Sequence, residues 1–159
     1  MYTVVYNSLT GNTKLLADTI KNVLPDNDNN DDIVFAGFWT DKGTADAKTI
    51  EYLSSLRDKK IFLFGTCGFG GSETYFDRIL TNVKSNIDTS NEIIGEYMCQ
   101  GKMPESVRNR YLKMKESDNC PPNIDALIDN FDRALSHPDE KDLEKLSQIV
   151  LQTLTNVIK

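Results

Sequence analysis

The sequence predicts an α/β fold in which helices cover both faces of a parallel β-sheet. Four short apolar runs alternate with stretches whose apolar residues recur every three or four positions. The apolar runs show little alternation with polar residues, which is typical of strands that are buried on both faces. Strands that alternate with helices favour a parallel sheet, because each helix carries the chain back to the edge where the next strand starts.

Each predicted strand is short and rich in β-branched or aromatic residues. The predicted strands are residues 2–6 (YTVVY), 33–37 (IVFAG), 60–65 (KIFLFG) and 92–99 (EIIGEYMC). Apolar stripes at helical spacing predict the helices that follow the first three strands. These stripes are Leu16, Ile20, Val23 and Leu24, then Ala47, Ile50, Leu53 and Leu56, then Phe76, Ile79, Leu80 and Val83.

The C-terminal part of the chain predicts three further helices. Pro121 and Pro122 separate the first two, because proline interrupts a helix. Pro138 is predicted as the first residue of the last helix, with Asp139 and Glu140 in a first turn that favours negative charge. The apolar stripes are Val107, Tyr111 and Met114, then Ile124, Leu127, Ile128 and Phe131, then Leu143, Leu146, Val150, Leu154 and Val157.

Composition predicts one cytoplasmic domain over residues 1–159. The chain has 39% hydrophobic and 26% charged residues, an ordinary balance for a globular domain. The apolar runs are too short to span a bilayer, and the first residues lack the pattern of a secretory leader. Cys67, Cys99 and Cys120 are odd in number and lie at no metal-ligand spacing, which favours free thiols in a reducing compartment.

The charge balance bears on the choice of partner. The formal net charge is −6, which repels nucleic acid and anionic membranes and steers the protein toward basic partners. Solubility alone is the alternative explanation. The single histidine, His137, gives little basis for a catalytic Ser–His–Asp triad.

The segment SLTGNT, residues 8–13, is the strongest functional motif. It joins the first strand to the first helix, where N–H groups and the helix dipole favour an anion. Its glycine permits a tight turn and its hydroxyls add donors, whereas the Walker lysine and the three-glycine dinucleotide pattern are absent. A helix N-cap without a ligand is the alternative. The predicted phosphate-binding residues are Ser8, Leu9, Thr10, Gly11, Asn12 and Thr13.

This segment resembles the loop that binds the FMN phosphate in flavodoxins, including the Thr-Gly-Asn-Thr core. The resemblance implies a flavodoxin-like three-layer sandwich with strand order 2-1-3-4-5 and a bound FMN. It also implies that two further loops contact the flavin, and suitable segments follow the second and third predicted strands. The residues so implied are Phe38, Trp39, Thr40, Lys42 and Gly43, and then Thr66, Cys67, Gly68, Phe69, Gly70 and Gly71.

Two aromatic residues are candidates for stacking on the flavin. Trp39 is predicted to cover one face of the ring and Phe69 the other, with Tyr75 as a substitute. Core packing or a partner contact is the alternative for Trp39, and simple exposure is the alternative for Phe69. The glycines beside Phe69 let the backbone approach the ring, and one of their peptides is expected to rotate when the flavin N5 gains a proton.

Four short sequence motifs make the resemblance more specific. They resemble a branch of flavodoxin-like proteins of anaerobic bacteria, along nearly the whole chain. Some members of that branch are associated with bilin or bilirubin reduction as flavin partners of a reductase, which implies a redox partner protein. These motifs are residues 37–43 (GFWTDKG), 63–72 (LFGTCGFGGS), 99–103 (CQGKM) and 136–139 (SHPD).

The chain departs from the flavodoxin pattern in two places. The usual second strand is short or missing, because an acidic turn leads directly to residue 33. Since crossovers are right-handed, either a rudimentary edge strand lies within residues 24–32 or the chain takes an unusual route across the end of the sheet. The second departure is a helical insertion, residues 102–136, whose basic residues suit a partner, an anion or an ordinary solvated face. These are Lys102, Arg108, Arg110, Lys113 and Lys115.

Three residues are weaker candidates for the site. Cys67 lies in the third loop, where a small filler is favoured over a role in flavin electrostatics. Gln100 ends the last strand and is placed to reach the pyrimidine edge of the flavin. His137 precedes a proline and is interpreted as a capping or exposed residue rather than a base.

Three functions are compatible with these motifs. The first is an FMN-binding carrier that passes electrons between a reductase and an acceptor enzyme. The second is an NAD(P)H-dependent FMN or quinone reductase in which the helical insertion roofs a substrate pocket. The third is a binding or regulatory module that has lost FMN, and the retention of all three loops argues against it.

Overall fold

The structure, a computed structural model, describes residues 2–25, 32–69 and 72–158. The strands in these ranges are β1 (Thr3–Tyr6), β2 (Ile33–Asp41), β3 (Thr44–Ala45), β4 (Lys60–Cys67) and β5 (Glu92–Gln100). The helices are α1 (Asn12–Val23), α2 (Ala47–Ser55), α3 (Glu73–Lys84), α4 (Glu105–Glu116), α5 (Ile124–Ala134) and α6 (Glu140–Ile158). None of these helices is long and apolar enough to cross a membrane.

The sheet confirms the predicted α/β class. Its four long strands lie in the order β1-β2-β4-β5, and every neighbouring pair is parallel. The short strand β3 pairs antiparallel with β2. The two residues between them, Lys42 and Gly43, have φ angles of 51° and 84°. A two-residue hairpin favours such positive angles, because the twist of the turn then matches that of its strands.

Helices cover both faces of this sheet, and each face has its own core. On one face, α1 and α6 bury Leu16, Ile20, Leu146 and Val150 against the sheet. On the other, α2 and α3 bury their apolar stripes. Each large apolar side chain removed from water contributes about 1.5–3 kcal/mol to stability. The predicted helical stripes therefore face the core, and the three-layer arrangement is confirmed.

Two cross-strand pairs explain why glycines occupy the middle of the sheet. In the β2–β4 register, Gly37 lies opposite Phe64 and Phe38 lies opposite Gly65. In each pair the ring covers the glycine so closely that a Cβ atom would collide with it. The Phe64 ring packs on the α1–α6 face and the Phe38 ring on the α2–α3 face. Both rings are fully buried, so these pairs fill the core just below the ends of the strands.

The predicted helical insertion is a hairpin of α4 and α5 with a small core of its own. Tyr111, Ile124 and Phe131 are buried in it, and partly buried apolar side chains surround them. Two ion pairs also join the helices, with Arg108 Nε 3.0 Å from Asp132 and Lys115 Nζ 2.9 Å from Asp125.

The helix that follows β1 lies on a different face of the sheet from the helices that follow the next two long strands. All three connections step in the same direction across the sheet, yet α1 packs on one face whereas α2 and α3 pack on the other. The described part of the first connection therefore lies on the opposite face of the sheet from the helices of the next two connections. Of the predicted edge strand at residues 24–32, residues 26–31 lie outside the described ranges. Within those ranges, the strand order matches 1-3-4-5 of the implied flavodoxin order.

The last helix begins two residues later than predicted. Pro138 precedes the cap, and α6 starts at Glu140. Asp139 Oδ1 accepts the N–H of Asp142, and Asp142 Oδ2 accepts the N–H of Asp139, both at 2.9 Å. This reciprocal arrangement is a capping box, and its backbone N–H groups hold the pKa of Asp139 below its usual value. His137 Nδ1 lies 2.7 Å from Asp142 Oδ2, so the half-buried histidine packs beside the cap.

Candidate functional site

The candidate site is a cleft at the carboxyl ends of the parallel strands, where ligands bind in open α/β sheets. It has a cavity volume of about 80 Å³. The structure brings together residues from all three predicted loops. Those that line the cleft are Leu9, Thr10, Asn12, Trp39, Thr40, Thr66, Cys67 and Gly68.

The first loop has the backbone of an anion site. Gly11, at the N-terminal end of α1, has a φ of 90°, a conformation that residues with a side chain rarely adopt. Ser8 Oγ accepts the N–H of Gly11 at 3.0 Å and that of Lys14 at 3.4 Å. The turn thus gathers N–H groups around an oxygen at the positive end of the helix dipole. A phosphate oxygen that took the place of the Ser8 hydroxyl would find the same donors.

Three side chains of this loop are engaged in holding the fold together, and one of them is Thr10, whose hydroxyl donates to the Lys102 carbonyl at 3.4 Å. Thr13 is 1% exposed, and its hydroxyl donates to the carbonyl of Phe38 at 3.0 Å. It also lies 3.2 Å from the hydroxyl of Thr66. Asn12 donates to the carbonyl of Lys102 at 2.8 Å. The Thr13 hydroxyl, expected to serve as a phosphate donor, therefore joins the loop to β2 and β4, and its backbone N–H stays as the predicted donor.

The second predicted loop is largely strand. β2 continues past its predicted end because it pairs with β4 as far as Trp39 and Thr66. Trp39 and Thr40 are half-buried and border the cleft, and Thr40 donates to the Thr66 carbonyl at 2.8 Å. The other predicted members of this loop lie elsewhere. Phe38 turns its ring into the core, so its side chain is corrected out of the site, and Lys42 and Gly43 form the tip of the β2–β3 hairpin.

A buried carboxylate that the motifs did not identify fixes Trp39 in place. Asp46 is 1% exposed and caps α2. Its side chain accepts the N–H of Trp39 at 3.3 Å and the Nδ2 of Asn7 at 2.7 Å. Its own N–H donates to the Trp39 carbonyl at 3.0 Å. An aspartate just before an apolar helical stripe is an N-cap signal, so the cap was readable from the sequence, but its contact with Trp39 was not.

The third loop begins where β4 ends. Phe69 follows Gly68 and is 40% exposed, and Gly70 and Gly71 lie outside the described residues. Burial raises the pKa of the Cys67 thiol, although hydrogen bonds from the Phe69 N–H and the Tyr75 hydroxyl oppose the shift. The thiol is therefore protonated at neutral pH, which supports its interpretation as a small filler rather than a nucleophile.

Four residues after β5 also line the cleft, and the predicted site did not include them. They are Gly101, Lys102, Met103 and Pro104. The N–H of Gly101 donates to the Cys67 carbonyl, and that of Lys102 donates to the His137 carbonyl, both at 3.0 Å. The motif CQGKM, residues 99–103, marks this segment in the sequence, but only the fold shows that it reaches the cleft.

The weaker candidates have clear places in the structure. The Nε2 of Gln100 donates to the Gly68 carbonyl at 3.1 Å, so this side chain contacts the loop directly rather than standing free for a ligand edge. Of the basic residues of the insertion, Arg108 and Lys115 pair with acids of α5. The predicted basic patch is thereby reduced to its other three members.

The residues at the cleft fit a flavin mononucleotide. The first loop offers backbone N–H groups and hydroxyls to a phosphate, and the half-buried Trp39 and exposed Phe69 offer flat apolar surfaces to a ring. Gly68 has no Cβ, and one placed there would come within 2.6 Å of Met103. Met103 therefore packs directly on Gly68, and a side chain at this position would displace it.

Comparisons with known proteins agree with this geometry. Residues 3–151 match the Flavodoxin domain family. A "Flavodoxin-like domain-containing protein BilS" from Clostridioides difficile (strain CD3) is 35% identical, with 91% of this chain and 90% of the relative covered. The protein of the same name from Clostridium symbiosum (strain WAL-14163) is 31% identical, with 96% and 95% covered.

Solved structures show the same fold at low sequence identity. An archaeal flavodoxin superposes with a TM-score of 0.54 at 13% identity, over 99% of each chain. Oxidised flavodoxin 2 from Bacillus cereus gives a TM-score of 0.54 at 17% identity, over 98% of each chain. The family match and the curated relatives indicate a flavin-binding, electron-transfer protein. On this evidence the chain belongs to the flavodoxin domain family.

Proposed function

We propose that this protein binds one FMN in the cleft and passes electrons between a reductase and an acceptor enzyme. The observation that carries the proposal is that the Ser8–Thr13 loop, Trp39 and Gly68 surround one cleft at the ends of parallel strands. The bound flavin supplies the redox chemistry, and the protein supplies binding, orientation and tuning.

The phosphate end supports a mononucleotide held mainly by neutral donors. The N–H groups of Gly11 and Lys14 converge on the hydroxyl oxygen of Ser8. The dipole of α1 adds a partial positive charge at the same place. The Lys14 side chain itself pairs with Asp18 at 2.8 Å, so it is turned to the helix surface. Lys102 is exposed at the cleft wall and is the candidate for direct charge pairing with the phosphate.

The surface around the cleft supports exchange of electrons with other proteins. Leu9 is 63% exposed and Phe69 is 40% exposed, which places apolar surface at the rim where a partner would approach. The net charge of −6 favours a partner with a basic face and fast association at low salt. Cys67 and Cys99 are free and buried, which suits the reducing cytoplasm that we propose as its location.

One observation favours a second function, an NAD(P)H-dependent reductase of FMN or quinone type. The insertion reaches the cleft through Met103 and Pro104, which directly precede α4. Its remaining cations, among them Lys102 and Arg110, would suit a nicotinamide nucleotide phosphate.

An anaerobic absorption titration separates these functions. The purified protein is loaded with FMN, freed of excess, and then mixed with NADH or NADPH alone. We expect a yellow protein whose flavin neither nucleotide reduces within minutes, and which a flavin reductase reduces. Rapid bleaching by one nucleotide would establish the second function instead, and a protein that stays colourless after FMN addition would refute both.

A further inference from the structure

The carbonyl of Gly68 accepts hydrogen bonds from two side chains that come from different parts of the fold. Gln100, at the end of β5, donates its Nε2 to this carbonyl at 3.1 Å. Asn130, in α5, donates its Nδ2 to the same carbonyl at 3.1 Å. The two amides are also bonded to each other, with Gln100 Nε2 3.2 Å from Asn130 Oδ1. We call Gln100 and Asn130 the amide pair.

The residues on either side of this carbonyl are packed as well. The N–H of Phe69, which shares the peptide plane with the Gly68 carbonyl, faces the Cys67 thiol and opposes the rise in its pKa that burial causes. The Cα of Gly68 is covered by Met103, which an added Cβ would approach to 2.6 Å. A peptide whose carbonyl accepts two hydrogen bonds cannot rotate without losing both of them.

From this geometry we propose that the amide pair is a positioning element of the flavin site. It locks the Gly68–Phe69 peptide, and through Asn130 it makes helix α5 of the insertion set the shape of the loop that faces the flavin. The proposal rests on the proposed function for its consequence at the flavin, but the lock itself is a property of the protein alone. The peptide expected to rotate on reduction is then not the one that follows Gly68.

This lock gives the insertion a role beyond that of an added surface. A change in the position of α5, such as a protein docked on it would cause, is transmitted to the flavin loop through one side chain. The change in loop shape alters the relative affinity of the protein for oxidised and reduced flavin. A tenfold change in this ratio shifts the midpoint potential by about 59 mV for one electron.

The test replaces one donor by an acceptor of nearly the same shape. In Asn130→Asp, a carboxylate faces the Gly68 carbonyl and repels it. The matched control is Asn123→Asp, which makes the same change at the exposed start of the same helix, where the side chain makes no capping bond. Both variants and the parent protein are first compared by thermal unfolding without FMN.

Two readouts follow. In the FMN-free protein, we expect the amide ¹⁵N–¹H signals of Gly68 and Phe69 to move in Asn130→Asp, and the Phe69 amide to exchange faster with solvent. In the FMN-loaded protein, we expect FMN to bind about tenfold more weakly, the upper end of the size expected for one lost hydrogen bond, and the midpoint potential to shift. The control variant should change neither readout.

The outcomes are distinct. Unchanged Gly68 and Phe69 signals in a folded Asn130→Asp would overturn the lock, and moved signals with an unchanged midpoint potential would overturn its role at the flavin. If the parent protein binds no FMN, the proposed function fails while the amide signals still decide the lock. Should Asn130→Asp not fold, Asn130→Ala removes the donor without adding a charge and is subject to the same criteria.

Discussion

The two halves of the cleft are held by different parts of the chain. On the β1–β2 side, the first two strand–helix units supply most of the bonds, through Ser8, Thr13 and Asp46. On the β4–β5 side, the Gly68 carbonyl is held by side chains that lie 32 and 62 positions later in the chain. The first half is thus built into the common fold, whereas the second depends on an insertion that this chain carries before its last helix.

The largest effect is expected from a change in the phosphate loop. Gly11→Val places a branched side chain where φ is 90°, so the turn opens and the N–H groups no longer converge. Losing two charge-assisted hydrogen bonds should weaken FMN binding about 1000-fold. Gly43→Val is the control, because its φ of 84° imposes the same strain on a hairpin tip away from the cleft. Equal losses in both variants, measured by fluorescence titration, would show that strain rather than the phosphate site is responsible.

The next effect is on stability and comes from the buried cap of the same half. Asp46→Ala leaves Asn7 Nδ2 and the Thr49 N–H without their acceptor, and should lower the free energy of unfolding by about 2 kcal/mol. Asp139→Ala removes the cap of α6 and serves as the comparison, since it should cost about 1 kcal/mol. Urea unfolding measures both variants. Only the change at Asp46, which touches Trp39, should also weaken FMN binding.

A smaller effect compares the two halves directly at their aromatic residues. Trp39→Ala should weaken FMN binding about tenfold and restore the flavin fluorescence that stacking quenches. Phe69→Ala tests the other half and should have the lesser effect, because Phe69 is exposed whereas Trp39 is half-buried and its backbone is hydrogen-bonded to Asp46. Unaltered affinity and quenching in Trp39→Ala would remove this residue from the site. Steady-state fluorescence titration gives both quantities.

The smallest effect is expected on the surface of the insertion. Arg108 and its partner Asp132 are both partly exposed, and ion pairs of this kind contribute about 0–1 kcal/mol. Arg108→Gln should therefore leave urea unfolding and FMN binding nearly unchanged, in contrast to Asn130→Asp in the facing helix. A large loss of FMN affinity in Arg108→Gln would mean that any disturbance of the insertion reaches the flavin, and that the amide pair has no special part in it.

The sequence was sufficient for the parts of the molecule that local patterns determine. Apolar periodicity identified the helices of both faces and of the insertion, and the Gly11 loop was recognisable because strand, glycine and helix follow one another directly. The sequence places Phe38 in a loop, whereas the structure has it in β2. The end of a strand cannot be distinguished from a loop by sequence until its pairing with a neighbouring strand is known. The pairing of Phe38 with Gly65 extends the strand and turns the ring into the core.

Contacts between distant residues were beyond the reach of these patterns. Nothing near Asn130 marks it as a ligand of Gly68, since an amide on a helix has many possible roles. Nor do local patterns indicate that Asp46 supports Trp39, although the cap itself has a clear signature. The predicted start of α6 is two residues too early. The reciprocal hydrogen bonds between Asp139 and Asp142 make Asp139 the cap, and they outweigh the preference of proline for a first turn.

The order of the parallel strands bears on how the chain reaches this fold. Because the described parallel strands lie side by side in the order of the sequence, each strand emerging from the ribosome finds its predecessor's edge available. Among the described strands, no gap must be kept open for a later one. We therefore expect the nascent chain to build its sheet progressively from the N-terminus, with one helical crossover to close at each step and little need to wait for the C-terminal helix.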